Sequence, residues 1–298
     1  MYDTFKIKNE LSNVPKQINE LFPMPFDWYG FKWIPHFKDS NTPLYYKSNY
    51  KNLNLRLIGN QLLVTNSLHK LYRGNNSEPF TYNQVCKAIF LLDSLLPINV
   101  YTAKVLKLSV GVVINVDPQK VFNEWLYYLG KPYSPMKNKN KTYGAKFFLT
   151  DYYIKGYDKT YEVRNHNQMQ LKGNYFRFEM EGKTKIFNNK TNNVGIYTVN
   201  DLLNYDKYKK LGEILLNKYI QIEKEPKLDL SQLTIKQKRL VASIRNYEIK
   251  ESIRKQHKDT YKKDRKEYNT LIKSLDNSAF QKDIINKLKQ QIDYSINN

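Results

Sequence analysis

Tyrosines, lysines and carboxylates recur together between residues 143 and 181 of this 298-residue chain. An extended segment turns alternate side chains to opposite faces, so Tyr153, Lys155, Tyr157 and Lys159 would share one face of a strand running from residue 147 to residue 159. That face would carry phenols and ammonium groups instead of buried hydrocarbon. A deprotonated phenol can attack a phosphodiester, and a neighbouring cation stabilises the phenolate. The spacing therefore predicts a nucleophilic tyrosine.

A second segment, residues 175–181, adds acidic groups. Its alternation predicts a strand with Phe176, Phe178 and Met180 packed inward and with Arg177, Glu179 and Glu181 on the other face. In one sheet, the two segments would place carboxylates, which bind divalent metals, beside the phenols. The alternative is an exposed strand of a basic sheet, because the chain contains 25 tyrosines and tyrosine–lysine alternation arises easily by chance.

Three short motifs resemble one protein family. The sequence YDKTYE at residues 157–162 resembles the segment that carries the nucleophilic tyrosine in filamentous-phage gene II replication initiators and in related phage and plasmid rolling-circle replication initiation proteins. The sequences SLHKLYRGNN at 67–76 and FRFE at 176–179 are similar to two further family motifs, in the same order along the chain. The resemblance covers roughly residues 53–222.

The resemblance implies an enzyme that nicks and rejoins single-stranded DNA at an origin to start rolling-circle replication. It implies Tyr157 as the nucleophile, with Lys159 and Lys155 stabilising the phenolate. Tyr153 and Tyr143 are the alternatives, since related plasmid initiators carry the nucleophile on a more upstream strand. Mg²⁺ or Mn²⁺ is the implied cofactor. Single-stranded and origin DNA are the implied partners, with a host replication helicase or polymerase as a further one.

The metal site departs from the family pattern in one place. The resemblance implies Glu179 as a metal ligand, with Glu181 as the second candidate. The family usually has an acidic residue on the strand matching residues 108–115, where this chain has Ser109. Serine supplies no anionic ligand, so Glu181, Asp158 or Asn115 would have to compensate. A non-catalytic DNA-binding protein that has lost metal-dependent cleavage therefore stays open as an alternative function.

Composition favours a nucleic-acid partner. The formal net charge is +21, from 49 Lys and Arg against 28 Asp and Glu, and an excess this large favours a polyanion. Cys86 is the single cysteine, so no intramolecular disulfide can form. The sequence has neither a signal-peptide pattern nor an apolar run of the about 18 residues that a membrane span needs. We therefore expect a cytoplasmic protein with no membrane partner.

Candidate DNA contacts lie in three places. The first is the segment 131–141, which contains Lys137, Lys139 and Lys141. The segment lacks apolar periodicity, which predicts a mobile basic loop beside the nucleophile strand. Such a loop can hold single-stranded DNA, although a solvated loop has the same composition. Lys70 and Arg73 are isolated charges that could contact phosphates, and Arg177 is a third candidate.

The remaining pattern predicts an α+β fold with a mainly antiparallel central sheet flanked by helices. Residues 53–58 and 61–72 read as a β-hairpin around Gly59-Asn60, and residues 105–116 as a central strand covered on both faces. We predict helices after Thr81, from Pro118 through Trp125 and Leu126, and over residues 198–222. The predicted domains are an α+β nicking and DNA-binding domain, residues 1–226, and a basic helical C-terminal region, residues 227–298.

Overall fold

The chain forms fourteen β-strands and ten α-helices within the residues that a computed structural model describes: 1–20, 23–38, 43–167, 171–224, 230–274 and 279–298. The strands are β1 (Tyr2–Glu10), β2 (Phe26–Trp28), β3 (Phe31–His36), β4 (Tyr45–Tyr50), β5 (Leu53–Ile58), β6 (Gln61–Ser67), β7 (Lys104–Asn115), β8 (Trp125–Tyr128), β9 (Lys131–Pro132), β10 (Ser134–Asn138), β11 (Lys141–Phe148), β12 (Tyr152–Asp158), β13 (Tyr175–Lys183) and β14 (Ile222–Lys224). The helices are α1 (Leu68–Arg73), α2 (Tyr82–Leu95), α3 (Pro118–Phe122), α4 (Lys159–Asn167), α5 (Thr184–Phe187), α6 (Tyr205–Ile220), α7 (Ile235–Arg245), α8 (Tyr247–Gln256), α9 (Lys258–Ser274) and α10 (Ala279–Asn297).

The main sheet has eleven strands in the order β10-β11-β12-β13-β7-β1-β6-β5-β4-β3-β2. A second sheet joins β14, β8 and β9. Within the described residues, all pairings between these strands are antiparallel. The apolar strand predicted over residues 105–116 is β7, and it lies near the middle of the sheet, between β13 and β1. The α+β fold with a mainly antiparallel sheet is therefore confirmed.

The core lies between one face of the main sheet and a layer that includes α6 and α10. On that face, Phe178 of β13 meets Tyr219 of α6 edge to face, with ring centroids 5.2 Å apart. Gly212 lets α6 approach α10 closely, because a Cβ atom there would lie 2.6 Å from Cγ2 of Ile292. Most of the helix predicted over residues 198–222 is α6, which follows a short 3-10 helix at Val199–Leu203, and its buried residues join the C-terminal helix to the sheet.

Several predicted element boundaries are confirmed. The hairpin of β5 and β6 turns at Gly59-Asn60 as predicted, and Thr81 directly precedes α2, with its N–H donating to the Gln84 side chain at 3.2 Å. A similar cap begins α7 within the predicted helical C-terminal region, where the hydroxyl of Thr234 accepts from the backbone N–H of Gln237 at 3.3 Å.

Four predicted segments were wrong in detail. Trp125 and Leu126 lie in β8, because the preceding helix stops at Phe122. The segment predicted as a loop, residues 131–141, is mostly extended and forms β9, β10 and the start of β11. The strand predicted over residues 61–72 becomes α1 after Ser67. The strand predicted over residues 147–159 is divided by a turn and ends at Asp158, so Lys159 begins α4.

The C-terminal helices pack in two places. Ile284, Leu288, Ile292 and Ile296 of α10 belong to the main core. Leu233, Val241 and Leu271, around α7 and α9, form a separate small cluster. The predicted domain boundary at residues 226 and 227 lies outside the described residues and stays a prediction. None of the helices in the described ranges is both long and apolar enough to cross a membrane.

Candidate functional site

The tyrosines, lysines and carboxylates of the two predicted segments meet on the face of the main sheet that is opposite to α6. β12 and β13 are hydrogen-bonded neighbours, and their register places Tyr153 opposite Glu181, Lys155 opposite Glu179, and Tyr157 opposite Arg177. Side chains directly opposite on antiparallel strands interact. We call this group the polar cluster; it consists of Asp3, Ser109, Tyr153, Lys155, Tyr157, Arg177, Glu179 and Glu181.

Glu179 lies at the centre of the polar cluster and is only 1% exposed. Its Oε1 accepts a hydrogen bond from the Ser109 hydroxyl at 2.7 Å and lies 3.0 Å from Nζ of Lys155. Its Oε2 accepts from Nε of Arg177 at 3.0 Å. Burial alone would raise the pKa of this carboxyl, but Lys155 and Arg177 outweigh it and hold the pKa below its usual value. Glu179 is therefore a buried, fully paired anion.

The guanidinium of Arg177 joins β13 to the first strand of the chain. Its Nη2 lies 2.7 Å from Oδ2 of Asp3, and its Nη1 donates to the backbone carbonyl of Asn76 at 2.9 Å. Asp3 also accepts from the side chains of Asn76 and Ser67. Burial raises the pKa of Asp3, but Arg177 and the hydrogen bonds from Ser67 and Asn76 together outweigh it, so the pKa is lowered. Asp3 was not among the residues predicted from the sequence; the available signal was a carboxylate close to the start of a strand rich in apolar and basic residues.

Lys159 does not stand on the strand with Lys155 and is fully buried at the start of α4. Its Nζ donates to Oδ1 of Asn76 at 2.7 Å and to Oε2 of Glu162 at 2.5 Å. Burial, followed by the charge of Arg177, lowers the pKa of Lys159 to about 8. The lysine and glutamate of the YDKTYE motif therefore form a local ion pair that anchors the helix to the loop holding Asn76.

Tyr157 is 5% exposed, and burial raises its pKa well above the usual value. Gly144 of β11 lies directly opposite, and a Cβ atom there would come within 2.6 Å of the Tyr157 Cβ. The glycine therefore makes room for the tyrosine on this face. The ammonium of Lys155 lies 5.4 Å from the ring centroid of Tyr157.

Tyr153 is half-buried and lies at the more open end of the polar cluster. Its hydroxyl donates a hydrogen bond to Glu181, which also pairs with Lys107. The Nζ of Lys146 lies 3.4 Å from the ring centroid of Tyr153, and those of Lys107 and Lys155 each lie 5.8 Å from it. Burial, followed by the hydrogen bond to Glu181, raises the pKa of Tyr153. Burial and the charge of Lys155 lower the pKa of Lys146.

Tyr143 is not part of the polar cluster. On β11, Gly144 and Lys146 stand opposite Tyr157 and Lys155, so the alternation turns Tyr143 to the other face. Its ring lies 5.4 Å from that of Tyr161 on α4. The structure thus brings Tyr153, Lys155 and Tyr157 together and leaves Tyr143 apart from them.

The carboxylates of the polar cluster, as arranged, do not fit a divalent metal. All four oxygens of Glu179 and Glu181 already accept from Ser109, Tyr153 or a cationic side chain. Across the described ranges, no group of three or more His, Cys, Asp or Glu residues is arranged to hold a metal ion. Lys155 and Lys107 would have to leave the carboxylates before an ion could enter. The metal role of Glu179 and Glu181 stays a prediction.

The predicted DNA contacts differ in how exposed they are. Lys137, Lys139 and Lys141 are exposed on the hairpin of β10 and β11 at one edge of the main sheet. Arg177 is 2% exposed, so its guanidinium cannot reach a phosphate in this arrangement. Lys70 is half-buried in α1, and Arg73 is exposed and paired with Glu78.

Comparisons with known proteins add little. No family model matches the chain, and no curated protein matches it. Among solved structures, the chain is similar to a rolling circle replication initiator protein from Geobacillus stearothermophilus, with 13% sequence identity and a TM-score of 0.39. The match covers 74% of this chain and 84% of that one. A likeness at this level assigns no activity.

Proposed function

We propose that this protein initiates rolling-circle replication by nicking and rejoining single-stranded DNA at an origin through a tyrosine. The proposal rests mainly on the surroundings of Tyr153, a half-buried phenol. Its hydroxyl donates a hydrogen bond to the Glu181 carboxylate, and the ammonium groups of three lysines lie near its ring. The net charge of +21 and the three family-like motifs support a DNA substrate.

The hydrogen bond from the Tyr153 hydroxyl to Glu181 supports a nucleophilic role for this phenol. Ionising a free phenol with a pKa of about 10 at pH 7 costs about 4 kcal/mol. Glu181 can instead accept the proton as the phenol oxygen attacks, so no free phenolate has to form. Tyr157 and Tyr143 remain competitors, but Tyr157 is nearly inaccessible and Tyr143 faces away from the carboxylates.

The proposed reaction is a transesterification. The Tyr153 oxygen bonds to phosphorus and its proton passes to Glu181. The bond from phosphorus to the 3′ oxygen breaks, and that oxygen takes a proton from one of the neighbouring lysine ammonium groups. The strand keeps a 5′ phosphotyrosine link and a free 3′ hydroxyl, which primes synthesis. Lys107, Lys146 and Lys155 would stabilise the charge that develops on the phosphoryl oxygens. Reversal of the same steps reseals the strand.

Trypsin separates the three candidate tyrosines, which makes the test direct. Tyr143 lies in the peptide 142–146, Tyr153 in 147–155 and Tyr157 in 156–159. The protein is incubated with a pool of random single-stranded oligonucleotides, digested with nuclease and trypsin, and searched by mass spectrometry for a nucleotide-linked peptide. We expect the adduct on 147–155, with fragmentation separating Tyr153 from Tyr152. Tyr153→Phe should abolish it, with Tyr152→Phe as the matched control. An adduct on another peptide would reassign the nucleophile.

One observation favours the second candidate, a non-catalytic DNA-binding protein. Ser109, at the position where the family usually has an acid, is fully buried and bonded to Glu179, so this part of the site is closed. That function predicts tight, salt-sensitive binding of single-stranded DNA with no adduct on any of the three peptides.

A further inference from the structure

In the half of the main sheet formed by β1 and β3–β7, one face packs on the core and the other is exposed. β5 illustrates the pattern, because Leu55 and Leu57 are buried while Asn54, Arg56 and Ile58 are exposed. The same alternation on β4 exposes Lys47 and Asn49. The buried set belongs to the core, so the exposed set forms a second face that continues from the face bearing the polar cluster.

Strand registers align this face into rows. Lys104 of β7 lies opposite Lys8 of β1, which lies opposite Leu63 of β6, and the row continues through Arg56, Lys47 and Ile34. A parallel row runs through Lys107, Lys6, Thr65, Asn54 and Asn49. Lys104 and Lys107 share a face although they are three residues apart, because the register shifts between Lys6 and Ile7. Lys107 also pairs with Glu181, so the second row begins at the polar cluster.

Basic residues predominate on this face, although Asp27 of β2 lies opposite Lys32. All seven basic residues of β1 and β3–β7 lie on it: Lys6, Lys8, Lys32, Lys47, Arg56, Lys104 and Lys107. The acidic residues of those strands are Asp3, which pairs with Arg177, and Glu10 at the end of β1. Among the residues that the structure describes, no carboxylate forms an ion pair with Lys8, Lys47 or Arg56. We call these seven residues the basic face.

Planar groups are stacked at the far end of the basic face. His36 of β3 lies opposite Tyr45 of β4, and their rings are stacked with centroids 4.6 Å apart. The guanidinium carbon of Arg56 lies 4.7 Å from the Tyr45 ring centroid. His36 and Arg56 are both exposed, so each offers a planar surface on which a nucleic-acid base can stack.

We propose that the basic face binds single-stranded DNA, with phosphates along the lysine rows and unpaired bases against His36 and Arg56. The proposal deepens the proposed function, since it takes the same DNA and gives it a path leading away from Tyr153. From β7 to β3 the path crosses five strand spacings of about 4.8 Å, or about 24 Å, which suits a short site of about four nucleotides. Duplex DNA has no unpaired bases to stack on the planar groups.

The test compares two triple variants of equal charge. The first is Lys8→Gln, Lys47→Gln and Arg56→Gln; the control is Lys87→Gln, Lys209→Gln and Lys289→Gln, which changes exposed lysines of α2, α6 and α10. Fluorescence anisotropy measures binding of a labelled oligothymidylate at several salt concentrations. We expect the first variant to bind at least tenfold more weakly and to lose about 2 units of salt slope, at about 0.7 per phosphate. The control should bind like the wild type.

A second readout locates the bases. An oligonucleotide carrying 5-iododeoxyuridine should crosslink to a peptide containing His36 or Tyr45, and His36→Ala should weaken binding by about tenfold. If the two triple variants bind equally well, the basic face is not the DNA-binding site, and the proposed nicking is unaffected. If the wild type binds duplex DNA more tightly than single-stranded DNA, the proposal that the basic face binds a single strand is wrong. Binding that depends on the basic face without any phosphotyrosine adduct overturns the proposed nicking and leaves the basic face standing.

Discussion

The hydroxyl of Ser109 donates a hydrogen bond to Oε1 of Glu179, with 2.7 Å between the two oxygens. Gly111, directly opposite Glu179, lets the strands close here, because a Cβ atom at that glycine would meet the Phe178 carbonyl at 2.9 Å. A neutral donor therefore stands beside the carboxylate, where a second anion would help to hold a cation. The charge of Glu179 is balanced instead by Lys155 and Arg177.

We expect Mn²⁺ to bind weakly to the protein without DNA. Binding has to displace Lys155 from Glu179 and Lys107 from Glu181, and displaced ammonium groups would repel the ion. Isothermal titration calorimetry and the unfolding temperature in Mn²⁺ both measure this. We expect no saturable heat and no rise in the unfolding temperature at millimolar Mn²⁺. A saturable shift that Glu179→Gln removes would support the metal role predicted from the sequence.

Arg177→Met should destabilise the fold by about 3–5 kcal/mol. The guanidinium is buried between Asp3 and Glu179, and its removal takes the main cationic partner from Asp3 and one of two cationic partners from Glu179. Chemical denaturation measures the loss. Adding Asp3→Asn to Arg177→Met should cost less than the sum of the two single changes, because the residues share one network. Additive effects would contradict the pairing.

Glu181→Gln should slow adduct formation by about 10² to 10⁴-fold while leaving oligonucleotide binding nearly intact. The amide keeps the shape of the carboxylate but cannot take the Tyr153 proton. Adduct formation with saturating oligonucleotide measures the rate, and anisotropy measures binding. An unchanged rate would remove Glu181 from the reaction. Loss of folding would show as a lower unfolding temperature and is checked first.

Stability should fall as the pH falls from 7 to 5 because of His69. This ring is buried against Phe80, and burial, followed by the charge of Arg177, lowers its pKa from 6.5 to about 2. Between these values the unfolded chain binds a proton that the folded chain does not, so stability is full above pH 6.5 and declines below it. We expect His69 to contribute a loss of about 2 kcal/mol from pH 7 to pH 5, in addition to the loss from the buried Met1 amino group, whose pKa is lowered to about 4. His69→Phe keeps the stacked ring and should remove the contribution of His69, as denaturation at the two pH values would reveal.

Replacing Lys137, Lys139 and Lys141 together by Gln should weaken single-strand binding without abolishing it. The three lysines are exposed on an edge hairpin, so the fold should be unaffected. The salt slope should fall by about 2 units if each contacts one phosphate. Anisotropy against salt concentration checks this, and a slope equal to that of the wild type would show that the hairpin does not touch DNA.

The sequence by itself determined the fold class and most of the polar cluster. Alternation fixed which residues of β13 face which way, and the apolar run over residues 105–116 identified a central strand, because period-two patterning is local information. It also identified the tyrosines, lysines and carboxylates that meet there. The sequence pattern did not predict the structure where an apolar run was short. Trp125 and Leu126 fit a helix or a strand equally well, and the pairing of β8 with β14 makes them a strand.

Only the tertiary structure decided the partners and the accessibility of these groups. Asp3 and Arg177 are 174 residues apart, and nothing local indicates that β1 lies so close to β13. The two strands are separated in the sheet by β7 alone, which brings Asp3 within reach of the guanidinium. Tyr157 and Tyr153 share one strand face, but Tyr157 is buried and Tyr153 is half-buried. Exposure depends on what packs over each ring, and the packing residues are distant in the chain.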